Sequence, residues 1–129
     1  MNDDNLVIDA SAVIAFLVGE PFTHFDSERV SRGLISAVTL SEVLTRMPEI
    51  GVPAPETAAA VAQLDLRVVA FGEEHAVAAA KLRPLTRGLG LSLSDRACLA
   101  LGLTLAHPVV TADRVWATLD VGVEILLIR

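Results

Sequence analysis

One cysteine, one lysine and no tyrosine occur among the 129 residues of this chain. A lone Cys98 cannot form an internal disulfide, and no thiolate cage for zinc can be assembled from it. The usual mark of an oxidising compartment is therefore missing, and the cytoplasm is the expected location. Basic charge is scarce: ten Lys and Arg stand against sixteen Asp and Glu, a formal net charge of −6. That balance argues against a general polyanion binder, because nucleic acid is held by neutralising its phosphates. Long apolar runs are missing too. Mean hydropathy is high, +0.56, yet the longest stretch without a charge, Ala97 to Ala112, is 16 residues and is cut by His107 and Pro108. A bilayer span takes roughly 20 apolar residues, so no membrane segment is expected. Asp3, Asp4 and Asp9 give the opening residues the wrong charge for a secretory leader.

What is present is a chain with 53% apolar residues and no repeats or low-complexity linker, which reads as one domain over residues 1–129. Short apolar runs at Leu6 to Ile8, Leu34 to Ala37, Leu66 to Phe71, Val109 to Thr111 and Val123 to Ile128 read as strands. Between them lie helical stretches. Ala10 to Val18 is stopped by Gly19 and Pro21, and a short helix covers Phe22 to Val30. Thr39 opens a helix carrying Leu40, Val43, Leu44 and Met47 on one stripe, with Pro48 marking the following turn. Glu56 to Leu64 and Glu73 to Leu85 follow, the latter with Ala76, Val77 and Ala80 on one face. Ser94 is the expected cap of a last long helix running to about Ala106. Alternation of this kind predicts an α/β fold, a central mostly parallel β-sheet flanked by α-helices on both faces.

Four carboxylates fall at the ends of these elements. Asp9 ends the first strand, Asp113 follows Val109 to Thr111, and Glu42 and Asp95 sit in the first turns of two helices. In parallel α/β sheets ligands bind beyond the carboxyl ends of the strands, so acids placed there can converge on one crevice. Converging acids repel and need cations, and an all-oxygen donor set suits Mg²⁺ or Mn²⁺ rather than zinc. Such a site can activate water for attack on a phosphodiester. Each acid also has a plain structural reading. Asp9 and Asp113 can cap the helices after them, and Asp95 can complement a helix dipole. Thr39-x-x-Glu42 has the form of a capping box, with Arg46 placed for an i,i+4 ion pair. Asp95 and Asp9 resist these readings best. Asp95 shares a face with Cys98, Leu99 and Gly102, and Asp9 follows an apolar strand, where a lone charge is costly.

Four segments carry these acids: Val7-Ile8-Asp9-Ala10-Ser11-Ala12, Ser36-Ala37-Val38-Thr39-Leu40-Ser41-Glu42-Val43-Leu44, Leu91-Ser92-Leu93-Ser94-Asp95-Arg96-Ala97-Cys98-Leu99-Ala100 and Val110-Thr111-Ala112-Asp113-Arg114. In this order and spacing they resemble the acidic motifs of PIN-domain nucleases, closest to VapC-type toxins of toxin-antitoxin pairs. The resemblance spans nearly the whole chain. It implies a PIN-like fold, Mg²⁺- or Mn²⁺-dependent endoribonuclease activity on RNA, a cognate VapB-type antitoxin, and a homodimer. Carried over residue by residue, it implies Asp9, Glu42, Asp95 and Asp113 as the catalytic and metal-holding set. Some members of that family carry a further acid after the fourth motif; here Trp116 stands near that place and Asp120 lies farther on, so one ion or two is left open.

Four further residues are candidates for contact with substrate. Arg96 and Arg114 directly follow two of the acids and can reach phosphate, against the commoner reading of a solvated or ion-paired arginine. Ser11 and Thr111 can orient a carboxylate or a water, or serve as cap and strand packing. Histidine catalysis is not expected, because His107 precedes its strand and His24 and His75 fall on surface helices. Two other readings compete with the nuclease. A phosphoacceptor signalling domain also places an Asp after a strand but resembles its relatives in needing a lysine at the pocket, whereas Lys81 lies inside a helix. A non-catalytic α/β binding module would keep the acids as caps.

Overall fold

The central strands of the sheet feed two cores at once, because successive side chains of an extended chain point to opposite faces. The computed structural model describes residues 5–21 and 27–129. Its strands are β1 (Val7–Ile8), β2 (Leu34–Ser36), β3 (Arg67–Val69), β4 (Val109–Thr111) and β5 (Ile125–Leu127). All pairings are parallel and the order across the sheet is β3-β2-β1-β4-β5. Ile8, Ile35 and Val110 face one core together with Val13, Val43 and Met47. Their neighbours Val7, Leu34 and Val109 face the other, together with Leu82, Leu99, Leu101 and Trp116. Burial on both faces explains why these strands are uninterrupted apolar runs.

The helices are α1 (Ala10–Leu17), α2 (Ser27–Val30), α3 (Ala37–Glu49), α4 (Ala54–Gln63), α5 (Glu73–Thr86) and α6 (Leu93–Leu105), and a 3₁₀ turn covers Arg114–Thr118. The α/β architecture expected from the alternation is the one found, with β1 at the centre. The expected helix at Phe22 to Val30 is described only from Ser27; its earlier part, with His24, lies outside the described residues. From β1 the chain moves to β2 and β3 on one side, then crosses over to β4 and β5 on the other. A crevice at the carboxyl ends of β1 and β4 is the consequence.

Several boundaries differ from the sequence reading. Ser36, not Thr39, caps α3, its hydroxyl accepting from the Val38 amide at 3.2 Å. Thr39 is buried one turn inside, so Thr39 and Glu42 form no capping box. Pro48 lies within the last turn of α3 rather than after it, where a missing N–H removes a single helical bond. Ser92, not Ser94, caps α6, and Asp95 completes a reciprocal capping box with it. On α5 the buried face is Ala79, Leu82 and Thr86, whereas Ala76, Val77 and Ala80 are exposed. An alanine-rich helix offers two weak stripes, and the one that meets α6 is buried. Helix α6 is covered nearly all round by its own chain, with Ala97 through Gly102 all buried. Gly102 permits that cover. A Cβ there would stand 2.6 Å from Val109 Cγ2 and 3.1 Å from the His107 carbonyl oxygen.

Candidate metal centre

The carboxyl end of β1 delivers Asp9 into the crevice, where it is 2% exposed. It occupies the N-cap position of α1, yet its side chain makes no capping bond. Its oxygens serve different purposes. Oδ2 accepts from Ser11 Oγ at 2.6 Å and from Thr111 Oγ1 at 2.9 Å. Each hydroxyl in turn accepts a backbone N–H, Ser11 from Ala112 and Thr111 from Asp113, both at 3.0 Å. Each hydroxyl thus accepts one amide and reaches Asp9 Oδ2, and the two hydroxyls lie 3.1 Å apart, so the three side chains form one network. Oδ1 is buried and has no partner. Burial pushes the Asp9 carboxyl up from 3.8 to about 6, the two hydroxyls oppose the rise, and Asp95 adds to it.

Asp95 enters from the first turn of α6. Its Oδ2 accepts from the Ser92 amide at 2.9 Å, so this first-turn acid also closes a capping box, beyond the dipole role read from sequence. Its carboxyl is nevertheless raised, chiefly by burial, against the pull of Ser92 and with the charges of Glu42 and Asp113 adding to the rise. Asp113 caps the 3₁₀ turn, Oδ1 accepting from the Val115 amide at 3.0 Å. Glu42 projects from the second turn of α3. Its Oε2 meets Arg46 Nη1 at 3.3 Å, as the i,i+4 spacing suggests, while Oε1 is buried without a partner. Fully buried Cys98 lies one turn after Asp95, its thiol pushed well up by burial and then by Asp9, Asp95 and Glu42.

The fold thus gathers acids from β1, α3, α6 and the end of β4 into one electrostatic neighbourhood. Among the described residues no group of three His, Cys, Asp or Glu side chains is preformed as a cation cage. Two unpartnered buried carboxylate oxygens, on Asp9 and Glu42, nevertheless have the chemistry a hard divalent cation takes. An unpaired buried anion is costly, and a cation relieves it.

The other candidates are placed as follows. Ser11 and Thr111 hold Asp9. Arg96 Nη1 donates to the Ala79 carbonyl at 3.1 Å, tying α6 to α5, and Arg114 is exposed at the start of the 3₁₀ turn. Trp116 is fully buried in the second core, and Asp120 is exposed beyond the 3₁₀ turn. His107 precedes β4 and so sits at the opposite end of the sheet, and His75 packs its ring against Phe71 on α5. Sequence reasoning missed Thr39, fully buried with an unpartnered Oγ1. The only signal for it was the same Thr39-x-x-Glu42 spacing that suggested a cap.

Solved structures share this fold along nearly its full length. A DNA-bound VapBC from Salmonella typhimurium aligns with a TM-score of 0.73 at 20% identity, over 94% of this chain and 96% of that one. VapC20 of Mycobacterium tuberculosis, described as a sarcin-ricin loop cleaving toxin, aligns at 0.69 with 16% identity, over 93% and 99%. VapBC-5 of the same organism aligns at 0.64 with 23% identity, over 95% and 97%. No curated protein matches the sequence. Residues 6–122 match the PIN-domain family model, and the chain belongs to the PIN-domain family.

Proposed function

We propose that this protein is the toxin of a VapBC-type toxin-antitoxin pair, an endoribonuclease that hydrolyses RNA phosphodiesters with Mg²⁺ or Mn²⁺. The observation that carries the reading is Asp9: a buried acid at the sheet's crevice with one oxygen pinned by two hydroxyls and the other unpartnered, in the field of Asp95. A cap would use its oxygen on a helix amide, and a core residue would not be an acid at all.

Asp9, Asp95 and Asp113 would hold the cation, with Glu42 as a further ligand or as the base beside it. When bound, the cation neutralises the acids, lowers the pKa of water and stabilises charge on the phosphate oxygens. Ser11 and Thr111 fix which Asp9 oxygen faces the crevice. Asp95 and Asp113 are held by amides at one oxygen each, so the helix starts that position them also fix their orientation. The charge objection then weakens, because the four acids account for −4 of the net −6, and cations there remove most of the local repulsion.

A VapB-type antitoxin is the proposed partner, its basic segment drawn by the same acidic crevice. A homodimer is proposed as well. It is supported by Val77 and Leu85 on α5, Leu89 in the following loop and Leu93 at the start of α6, exposed at 48%, 66%, 39% and 51%. No helix among the described residues is long and apolar enough to cross a membrane, and the cytoplasm is the proposed location.

The test joins melting with RNA cleavage. A hundredfold excess of Mn²⁺ over its dissociation constant stabilises the wild type by about 2.7 kcal/mol. Asp95→Asn loses most of that stabilisation together with cleavage. A wild type whose melting ignores Mn²⁺ and Mg²⁺ at millimolar concentrations refutes the proposal.

A further inference from the structure

Among the described residues only one of the four acids has a counter-ion. Among the described residues the only ion pair made by Asp9, Glu42, Asp95 or Asp113 is Glu42 to Arg46, across one turn of α3. The contact is a loose one. At 3.3 Å it is a single bond, longer than a close charge-assisted contact of roughly 2.8 Å, and the Arg46 side chain is 49% exposed. An exposed i,i+4 pair favours the paired state by only about a factor of two. The same carboxylate has its other oxygen buried and unpartnered, so Glu42 stands between an exposed arginine on one side and the acid crevice on the other.

The arginines that directly follow acids in sequence do not occupy this place. Arg96 Nη1 donates to the Ala79 carbonyl and makes no ion pair among the described residues, and Arg114 lies exposed on the 3₁₀ turn. Arg46 is the cation already paired with one of the acids, Glu42. Its planar fork suits a phosphodiester as well as a carboxylate, and exchanging one weakly held anion for another costs it little.

Resting on the metal-dependent ribonuclease reading, we infer that Arg46 is an exchangeable counter-ion: it neutralises Glu42 in the metal-free protein and, when a divalent cation takes Glu42, it binds a phosphate of the RNA. Arg46 then reports the loading state of the site to the substrate. Cation and RNA each favour the arrangement the other needs, and the coupling is reciprocal.

The test uses the full chain with Arg46→Gln and Arg46→Lys, an exposed position where both variants fold. Mn²⁺ titration followed by melting, and anisotropy of a labelled single-stranded RNA in Ca²⁺ across a salt series, are the two readouts. Arg46→Gln reaches half-maximal Mn²⁺ stabilisation at about half the wild-type concentration, because a competing cation has gone. Its RNA affinity falls about fivefold, and the slope of log affinity against log salt shrinks by about 0.7, the loss of one single-strand phosphate contact. Arg46→Lys keeps the wild-type slope. Two results overturn the inference while leaving the ribonuclease reading intact: Arg46→Gln needing more Mn²⁺ than wild type, which makes Arg46 a support for Glu42, or RNA affinity and salt slope equal to wild type. A wild type that neither responds to Mn²⁺ nor binds RNA brings down the ribonuclease reading and this inference together.

Discussion

Replacing Asp9 by Asn should stabilise the metal-free protein at neutral pH. The native fold raises this carboxyl from 3.8 to about 6, chiefly by burial. Above pH 6 the group is ionised in both folded and unfolded chains, and the folded state then carries a penalty of about 3 kcal/mol. Below 3.8 the acid is protonated in both states and the penalty vanishes. Wild-type stability therefore contains a term that is present at low pH and lost as pH rises from about 4 through about 6, because the folded state binds more protons over that window. Asparagine is nearly isosteric, and its carbonyl oxygen can accept from Ser11 and Thr111 as Oδ2 does. In EDTA at pH 7.5 the variant should melt higher by up to about 10 °C for a domain of this size. The difference between variant and wild type should close towards pH 4. Adding Mn²⁺ should reverse the order, since the wild type gains a ligand and the variant does not. Thermal melts at matched pH, with and without metal, read all of this. A variant that melts lower than wild type at pH 7.5 in EDTA, with the same response to Mn²⁺, would show Asp9 to be a structural anchor and refute the reasoning.

Thr111→Val removes the donor to Asp9 Oδ2 and strands the Asp113 amide, so urea denaturation should show a loss of about 1–3 kcal/mol, largely restored in Thr111→Ser. Gly102→Ala forces a methyl against Val109 Cγ2 and the His107 carbonyl, and the same measurement should show a loss of about 1–3 kcal/mol. Leu85→Asp, at a position 66% exposed, should leave melting of the monomer nearly unchanged while shifting size-exclusion elution from dimer to monomer. An unshifted elution counts against α5 as the dimer face.

Strand placement was legible because buried parallel strands are apolar on both faces: Val109–Thr111 was bounded correctly from its run of apolar residues alone. The four acids were visible as a pattern of element ends. Caps were misplaced because neighbouring hydroxyls compete. Ser36 against Thr39 and Ser92 against Ser94 are decided by where the strand or loop delivers the chain, and local sequence does not contain that information. The buried stripe of α5 was unreadable for a related reason. Alanine contributes little to either stripe, so the helix turns whichever face meets α6 inward.

Residue types and order alone determined that this chain forms alternating strands and helices, that no internal disulfide or thiolate cage is available, and that carboxylates stand at four element ends. Only the tertiary structure decided which oxygen of Asp9 is engaged and which is unpartnered, that Arg96 ties α6 to α5, and that α6 is covered by its own chain. Periodicity and turn chemistry act over a few residues and leave their mark in sequence. The partners of a side chain come from distant parts of the chain, 102 positions away between Asp9 and Thr111, and their meeting is set by the packing of the whole sheet.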